Sequence, residues 1–122
     1  MPTLDLNLLK RLPLSPGAFC ILLALKDGEK HGYAILREVA EQSADAVRLL
    51  PGTLYNLLKR MLDDGWIEEL EKPSDSAQED ERRRYYRLTG VGKEVVRLEA
   101  ERLAGLVRAA RRHGLLARRE QT

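Results

Sequence analysis

One segment near the middle of the chain has polar side chains on one side and apolar ones on the other. The polar side chains bear hydroxyl, amide, ammonium and guanidinium groups, on Thr53, Tyr55, Asn56, Lys59 and Arg60. Such groups donate hydrogen bonds to phosphate oxygens and to the edges of bases, so they are suited to contact a nucleic acid. The alternative is that Lys59 and Arg60 form an ordinary solvated face and that Tyr55 packs on a neighbouring element.

A second group of cations lies further along the chain, where four of six residues are arginine: Arg82, Arg83, Arg84 and Arg87. The net charge of +2 is too small by itself to indicate a nucleic-acid partner. A local cluster nevertheless attracts phosphates whatever the total charge of the chain. Residues 79–81 are acidic and could pair with the cluster, but surface ion pairs contribute only about 0–1 kcal/mol. We therefore expect Arg82, Arg83 and Arg84 to contact DNA.

The spacing of apolar residues predicts the elements that position these groups. In the middle segment they recur at helical intervals, at Leu54, Leu57, Leu58, Met61 and Leu62. This stripe predicts a helix that buries one face and ends at Gly65. Two earlier helices are predicted, one running from a cap at Ser15 to a stop at Gly28, and another over about residues 32–42.

Extended structure is expected in two places. Val47 and Leu49 favour a short extended piece in the connection after the second helix. A hairpin follows the third helix, with arms over residues 66–72 and about 83–88 and an exposed loop between them. Three aromatic rings are expected to fill the junction of the second helix, the hairpin and the last helix, namely Tyr33, Tyr85 and Tyr86.

The last predicted element is a long amphipathic helix that starts at a Thr89 cap and runs to about residue 112. An apolar stripe of this length is costly to leave in water, and the same helix of a second subunit is the expected partner. The residues expected at this dimer surface are Val95, Leu98, Leu103, Leu106 and Val107.

These elements follow one another as three helices, a hairpin and a long helix. That order predicts a mainly α protein with a small β-hairpin wing, the winged helix-turn-helix fold, in which the third helix enters the major groove of DNA. The expected division is an N-terminal arm over residues 1–13, a DNA-binding domain over 14–88, and a dimerisation helix and tail over 89–122.

Four short motifs resemble one known family. HGYAI at 31–35, PGTLY at 51–55, GWI at 65–67 and RRRYYRLT at 82–89 occur in the order and at the intervals of the PadR family of bacterial transcriptional regulators. The single C-terminal helix is similar to that of its shorter subfamily. The resemblance implies a homodimeric repressor that binds double-stranded operator DNA and is released by a small-molecule effector.

One feature of the shorter PadR subfamily is not expected in this chain. Some of its members hold aromatic drugs at the dimer interface, between aromatic side chains. Residues 89–122 contain no Trp, Tyr or Phe. The resemblance therefore does not extend to an aromatic clamp of that kind.

The composition disfavours other classes of function. One cysteine, Cys20, and two histidines are too few for a zinc site, and we expect no cofactor. No serine lies in a nucleophile elbow and no glycine-rich phosphate loop follows a strand, so an enzyme is not expected. The longest apolar run, residues 18–25, is too short to span a bilayer. Together with the lack of a signal peptide, this predicts a cytoplasmic protein without a membrane partner.

Two other functions stay open at this point. A winged helix can serve as a module that binds another protein, because a fold does not fix a function. The exposed cations argue against that alternative without deciding it. The protein could also be chiefly a small-molecule sensor with its pocket between the terminal helices. The apolar residues from 98 to 107 would line that pocket, although they are more simply a dimer core.

Overall fold

The computed structural model describes residues 6–73 and 82–117 and, of these, the side chains of all but residues 6, 73 and 82. Within these ranges the chain forms five helices and three strands. In chain order they are α1 (Leu6–Leu9), α2 (Pro16–Ala24), β1 (Lys30–His31), α3 (Gly32–Gln42), α4 (Pro51–Asp63), β2 (Ile67–Pro73), β3 (Arg82–Leu88) and α5 (Gly90–Arg112). The predicted fold class, mainly α with a small β wing, is confirmed.

The first long helix, α2, starts as expected and ends earlier than expected. The Ser15 hydroxyl accepts a hydrogen bond from the N–H of Ala18 at 3.1 Å and caps the helix. The helix stops at Ala24, whose carbonyl accepts a hydrogen bond from the Lys30 ammonium at 2.6 Å. Gly28 follows in a turn with φ of +143°, which is not the left-handed helical conformation. The prediction that Gly28 itself stops the helix is therefore wrong.

The core forms where α2, α3 and α4 meet the sheet and α5. The predicted stripe of α4 supplies three of its residues, Leu54, Leu58 and Met61, which are buried. The other elements contribute apolar side chains that include Ile21, Leu22, Ile35, Val39, Trp66, Tyr86 and Val95. Cys20 is buried as well, and desolvation by burial raises the pKa of its thiol.

The sheet has three antiparallel strands in the order β1-β3-β2. The hairpin of β2 and β3 was predicted, whereas β1 was not; its Lys30 and His31 pair with Tyr86 and Tyr85. No strand forms in residues 43–50, where a short extended piece was expected at Val47 and Leu49. The Ser43 hydroxyl donates to the carbonyl of Val39 at 2.8 Å and accepts from the Val47 N–H at 3.0 Å, which folds this connection into a turn. The predicted loop between the arms lies, except for the backbone of Pro73, outside the described residues.

The hairpin and α5 are joined tightly to the end of α4. The Thr89 hydroxyl caps α5 by accepting from the Gly92 N–H at 3.1 Å, and it donates to the carbonyl of Gly65 at 2.6 Å. A β-carbon on Gly92 would overlap the carbonyl oxygen of Trp66, so the helix can start here only with glycine at that position. This packing fixes α5 relative to the C-terminal end of α4.

A buried carboxylate joins α5 to the beginning of α2. Glu99 is only 1% exposed. It accepts two hydrogen bonds from the Arg102 guanidinium, at 2.6 and 2.9 Å, and one from the backbone N–H of Leu14 at 2.9 Å. The hydrogen bonds from Arg102, and to a smaller extent that from Leu14, lower the pKa of Glu99, although burial of the carboxylate acts to raise it. This role is not evident from the sequence, because a Glu–Arg pair at this spacing usually lies on a solvated helix face.

The apolar stripe of α5 divides into an inner and an outer part. Val95 is fully buried in the core of its own protomer, and Leu98 is also buried. Neither is presented to a second subunit, so their assignment to a dimer surface is corrected. Leu103 is half-buried, Val107 is exposed, and Leu106 is 57% exposed. The predicted dimer surface is thereby reduced to these three residues.

The described part of the chain contains neither a membrane-spanning helix nor a cluster of metal-binding side chains. None of the helices in this part of the chain is long and apolar enough to cross a membrane. No group of three or more His, Cys, Asp or Glu side chains in residues 6–73 and 82–117 is arranged to hold a metal ion.

Candidate nucleic-acid interface

The outer face of α4 presents all five polar residues that the sequence singled out. The side chains of Thr53, Tyr55, Asn56, Lys59 and Arg60 are exposed. The opposite face of the same helix is anchored in the core. A helix of 13 residues is about 20 Å long. Donors along such a face can follow the major groove for a large part of one turn of DNA.

The first turn of α3 holds Tyr55 in place. Its ring is 51% exposed, but its hydroxyl points at the backbone of the first residue of α3. A β-carbon on Gly32 would lie 2.6 Å from that hydroxyl oxygen. Glycine at position 32 therefore permits the observed orientation of Tyr55 and leaves part of its ring on the surface.

His31 connects the start of α3 to the wing. Its Nδ1 accepts a hydrogen bond from the N–H of Ala34 at 3.2 Å and caps the helix, and its ring meets the Tyr85 ring edge-on at 5.5 Å. Its Nε2 lies 3.1 Å from Nη1 of Arg83. A neutral imidazole has one acceptor nitrogen, so the ring can serve one of these two donors at a time. These contacts place Arg83 of the wing against the helical part of the interface.

A concavity of about 500 Å³ lies where α3, α4 and β3 meet. It is lined by His31, Gly32, Tyr33, Tyr55, Arg83 and Arg84. Both arginine side chains are exposed, so the structure brings the predicted cationic cluster next to the predicted helix face. Arg82 is the first residue of β3, but its side chain lies outside the described residues.

The three tyrosines expected at one junction have different environments. Tyr86 is buried and Tyr85 is half-buried against the sheet, as predicted. Tyr33 is 71% exposed and lies on the rim of the concavity, so the prediction that it fills the junction is wrong. Helical spacing did not distinguish an inward from an outward ring at the first turn of α3, where the helix has only begun.

Lys59 and Arg60 of this face differ from three arginines of the protein in their pairing. Arg11, Arg87 and Arg97 each form an ion pair with a carboxylate, to Asp64, Glu68 and Glu94 respectively. Within residues 6–73 and 82–117, neither Lys59 nor Arg60 forms an ion pair. Their charges are therefore available to an anionic partner without the loss of an internal contact.

Comparison with known proteins identifies the family. Residues 21–98 match the sequence model of the PadR-like family of transcriptional regulators. The chain belongs to this family. The matched residues include α3, α4, the wing and the first part of α5, which are the elements that form the candidate interface.

Several solved PadR-type structures share the fold. The PadR family regulator from Clostridium difficile R20291 has a TM-score of 0.64 and 25% identity, over 81% of this chain and 98% of that one. A PadR-like regulator from Bacillus cereus ATCC 14579 has a TM-score of 0.63 and 26% identity, over 83% and 92%. Bacillus subtilis PadR, solved in complex with operator DNA, has a TM-score of 0.59 and 22% identity, over 90% and 51%, which shows a common fold.

One curated protein is also similar. It is described as an uncharacterized 37.1 kDa protein in transposon TN4556 of Streptomyces fradiae, and it is 37% identical over 86 residues. The match includes 70% of this chain. The chain spans only 22% of the length of that relative.

Proposed function

We propose that this PadR-like protein is a homodimeric, sequence-specific DNA-binding repressor that a small molecule releases from its operator. The observation that carries the proposal is the outward row of polar side chains on α4 beside the exposed arginines of β3. The five predicted α4 residues and Arg83 and Arg84 lie on one continuous side of the protein. The proposed function includes no enzymatic reaction.

The two parts of this surface have different roles. The third helix of a helix-turn-helix enters the major groove, and residues near its N-terminus reach the bases. Thr53 and Asn56 are placed to read base edges, while Tyr55, Lys59 and Arg60 are placed for phosphates or bases. The arginines of β3 contact the phosphate backbone beside the groove, where they add affinity that depends on salt. We extend this role to Arg82 from its place in the strand.

The proposal divides the chain into a DNA-binding part, residues 14–88, and a dimerisation part, residues 89–122, with an arm before them. The outer part of α5 supports this division, because beyond the region that packs on the protomer it leaves Leu106 and Val107 exposed and Leu103 half-buried. An apolar stripe of this kind is stabilised when the same helix of a second copy covers it. Two copies then present two α4 helices to successive major grooves.

Release by a ligand requires that the ligand favours one dimer geometry over another. In the proposed arrangement α5 sets the distance between the two α4 helices, since Gly92 and Thr89 fix its start to the end of α4. A small molecule bound between the paired α5 helices would change that distance and weaken operator binding.

The test removes two charges from α4 and compares the result with the removal of two charges elsewhere. We expect Lys59→Ala with Arg60→Ala to lower operator affinity at least 100-fold, since each subunit loses two contacts of about 1–3 kcal/mol. Lys26→Ala with Lys93→Ala is the matched control, because both lysines are exposed and lie away from α4, just after α2 and on α5. Circular dichroism and light scattering verify that both variants keep the fold and the dimer.

Two outcomes would count against the proposal. Equal affinity of the two double variants would overturn the assigned face of α4. Salt-insensitive binding to a protein, with no duplex selected from a random pool, would favour the protein-interaction alternative.

A further inference from the structure

The start of α4 differs from the starts of the other long helices in the described part of the chain. In α2, α3 and α5 a side chain caps the helix, supplied by Ser15, His31 and Thr89 respectively. In α4 the same position is held by Leu50, and no side chain makes a capping hydrogen bond. Leucine is among the least favourable residues here, because it cannot accept from the free N–H groups of the first turn.

Packing does not explain Leu50 either. Its side chain is 74% exposed. Its neighbour Leu49 points inward, where a β-carbon on Gly17 would lie 2.9 Å from the Leu49 Cδ2 atom. The backbone at Leu50 is extended, with φ of −77° and ψ of 151°, so successive side chains point in opposite directions. Leu50 thus neither caps its helix nor fills the core.

The position of Leu50 suggests what it contacts. It stands at the N-terminal end of α4, directly before the exposed Pro51, Gly52 and Thr53. This is the end of a recognition helix whose residues reach base edges in the major groove. The apolar group that a base pair presents there is the 5-methyl group of thymine. A branched aliphatic side chain packs on that methyl group and excludes water from both.

We propose that Leu50 is a specificity-determining residue that contacts the 5-methyl group of one thymine in each half-site. This inference rests on the proposed function, because it requires that α4 lies in the major groove. The competing explanation is that Leu50 belongs to a protein contact. It lines a groove of about 620 Å³ along α3 together with Tyr33, Leu36 and Leu49, and a second polypeptide could cover it there.

A thymine-to-deoxyuridine scan of the selected operator tests the proposal. Each replacement removes one methyl group and keeps the base pairing. We expect one thymine per half-site to be sensitive, with a loss of about fourfold in affinity for one site and about 15-fold for both. The Leu50→Ala variant should bind the thymine operator and the uracil operator with equal, lowered affinity, so that it no longer discriminates between them.

Two further variants separate methyl recognition from a structural role. Val91→Ala removes another exposed aliphatic side chain, which lies at the start of α5 beside the opposite end of α4. This variant should discriminate between the thymine and uracil operators as the wild type does. Leu50→Ser supplies the missing cap, so we expect its Tm to rise while its discrimination is lost. If Leu50 served only to stabilise the fold, the Leu50→Ser variant would have a lower Tm than the wild type.

The outcomes are distinct for the inference and for the function on which it rests. If the wild type binds a selected operator but shows no sensitive thymine, or if Leu50→Ala keeps the discrimination, the inference is overturned and DNA binding stands. If the folded wild type selects no duplex at all, the proposed function fails and the inference fails with it.

Discussion

The hydroxyl of Tyr55 occupies the space that a side chain on Gly32 would need, since a β-carbon there would lie 2.6 Å from the Tyr55 oxygen. The two residues come from different helices, α3 and α4. Their contact brings the glycine of the HGYAI motif against the tyrosine of the PGTLY motif.

Replacement of Gly32 by alanine should therefore act through Tyr55. The phenol is the end of a side chain and can move aside, so we expect Gly32→Ala to fold. Operator affinity should nevertheless fall at least tenfold for each half-site, because a hydrogen bond to a charged phosphate contributes about 1.5–3 kcal/mol. Fluorescence anisotropy with labelled operator measures the loss.

A double-mutant cycle provides the control for this prediction. Once Tyr55→Phe has removed the hydroxyl, the further change of Gly32 to alanine should cost little additional affinity. Independent, additive losses in the cycle would show that Gly32 does not act through Tyr55.

The buried carboxylate of Glu99 predicts a pH dependence of stability. Its pKa is lowered in the folded protein, by the Arg102 guanidinium first and by the Leu14 N–H, so its stabilising effect is present above the unfolded pKa of about 4.3. That effect is lost as the pH falls through the lowered folded pKa. We expect Glu99→Gln to reduce the free energy of unfolding at neutral pH by about 1–3 kcal/mol and to remove this part of the acid sensitivity.

Urea denaturation between pH 3 and 7 measures both effects. Glu94→Gln is a suitable comparison, because Glu94 also pairs with an arginine one turn away but is not hydrogen-bonded to the Leu14 N–H. If Glu99→Gln had the same free energy of unfolding as the wild type across this pH range, the link between α5 and Leu14 would contribute nothing to stability.

The end of α3 contains a residue in a conformation that favours glycine. Ala44 has φ of +50°, and the next N–H, of Asp45, donates to the carbonyl of Ala40 at 2.8 Å, as in a Schellman motif. Ala44→Gly should raise the free energy of unfolding by about 0.5–1 kcal/mol because it relieves the left-handed backbone. Thermal denaturation measures the gain. Ala46→Gly is the matched control and should lose stability, since its φ is negative.

The outer stripe of α5 predicts a separation between folding and dimerisation. Leu103→Glu with Leu106→Glu should give a folded monomer, because these side chains lie outside the protomer core. Val91→Glu should remain dimeric, whereas Val95→Glu should fail to fold, since Val95 is fully buried. Sedimentation equilibrium measures the mass. A dimer that persists in the double variant would contradict the assigned surface.

The sequence predicted the elements whose signals are local. Ser15 and Thr89 are recognisable caps, and the spacing of Leu54, Leu58 and Met61 alone identified the buried face of α4 and hence its exposed face. The two-residue strand β1 has no such signal, because Lys30 and His31 become a strand only by pairing with Tyr86 and Tyr85.

Burial of particular side chains was the less predictable part. Val95 and Leu106 occupy equivalent positions of one amphipathic pattern, yet one is in the core and the other is exposed. The difference depends on where the wing and α2 stop covering α5. The spacing of apolar residues along α5 does not contain this information. The same holds for Glu99, whose burial follows from the approach of Leu14, and for Tyr33, whose exposure follows from its place in the first turn of α3.

DNA binding by α4 and the wing is tested most directly by selecting binding sites from a random duplex pool and then measuring affinity at two salt concentrations. We expect a two-fold symmetric site with half-sites about one helical turn apart. With about six to ten phosphate contacts, affinity should fall some 10³–10⁵-fold between 50 and 200 mM salt. Enrichment of no sequence by the folded dimer, or an affinity that does not respond to salt, would contradict the claim that α4 and the wing form a DNA-binding surface.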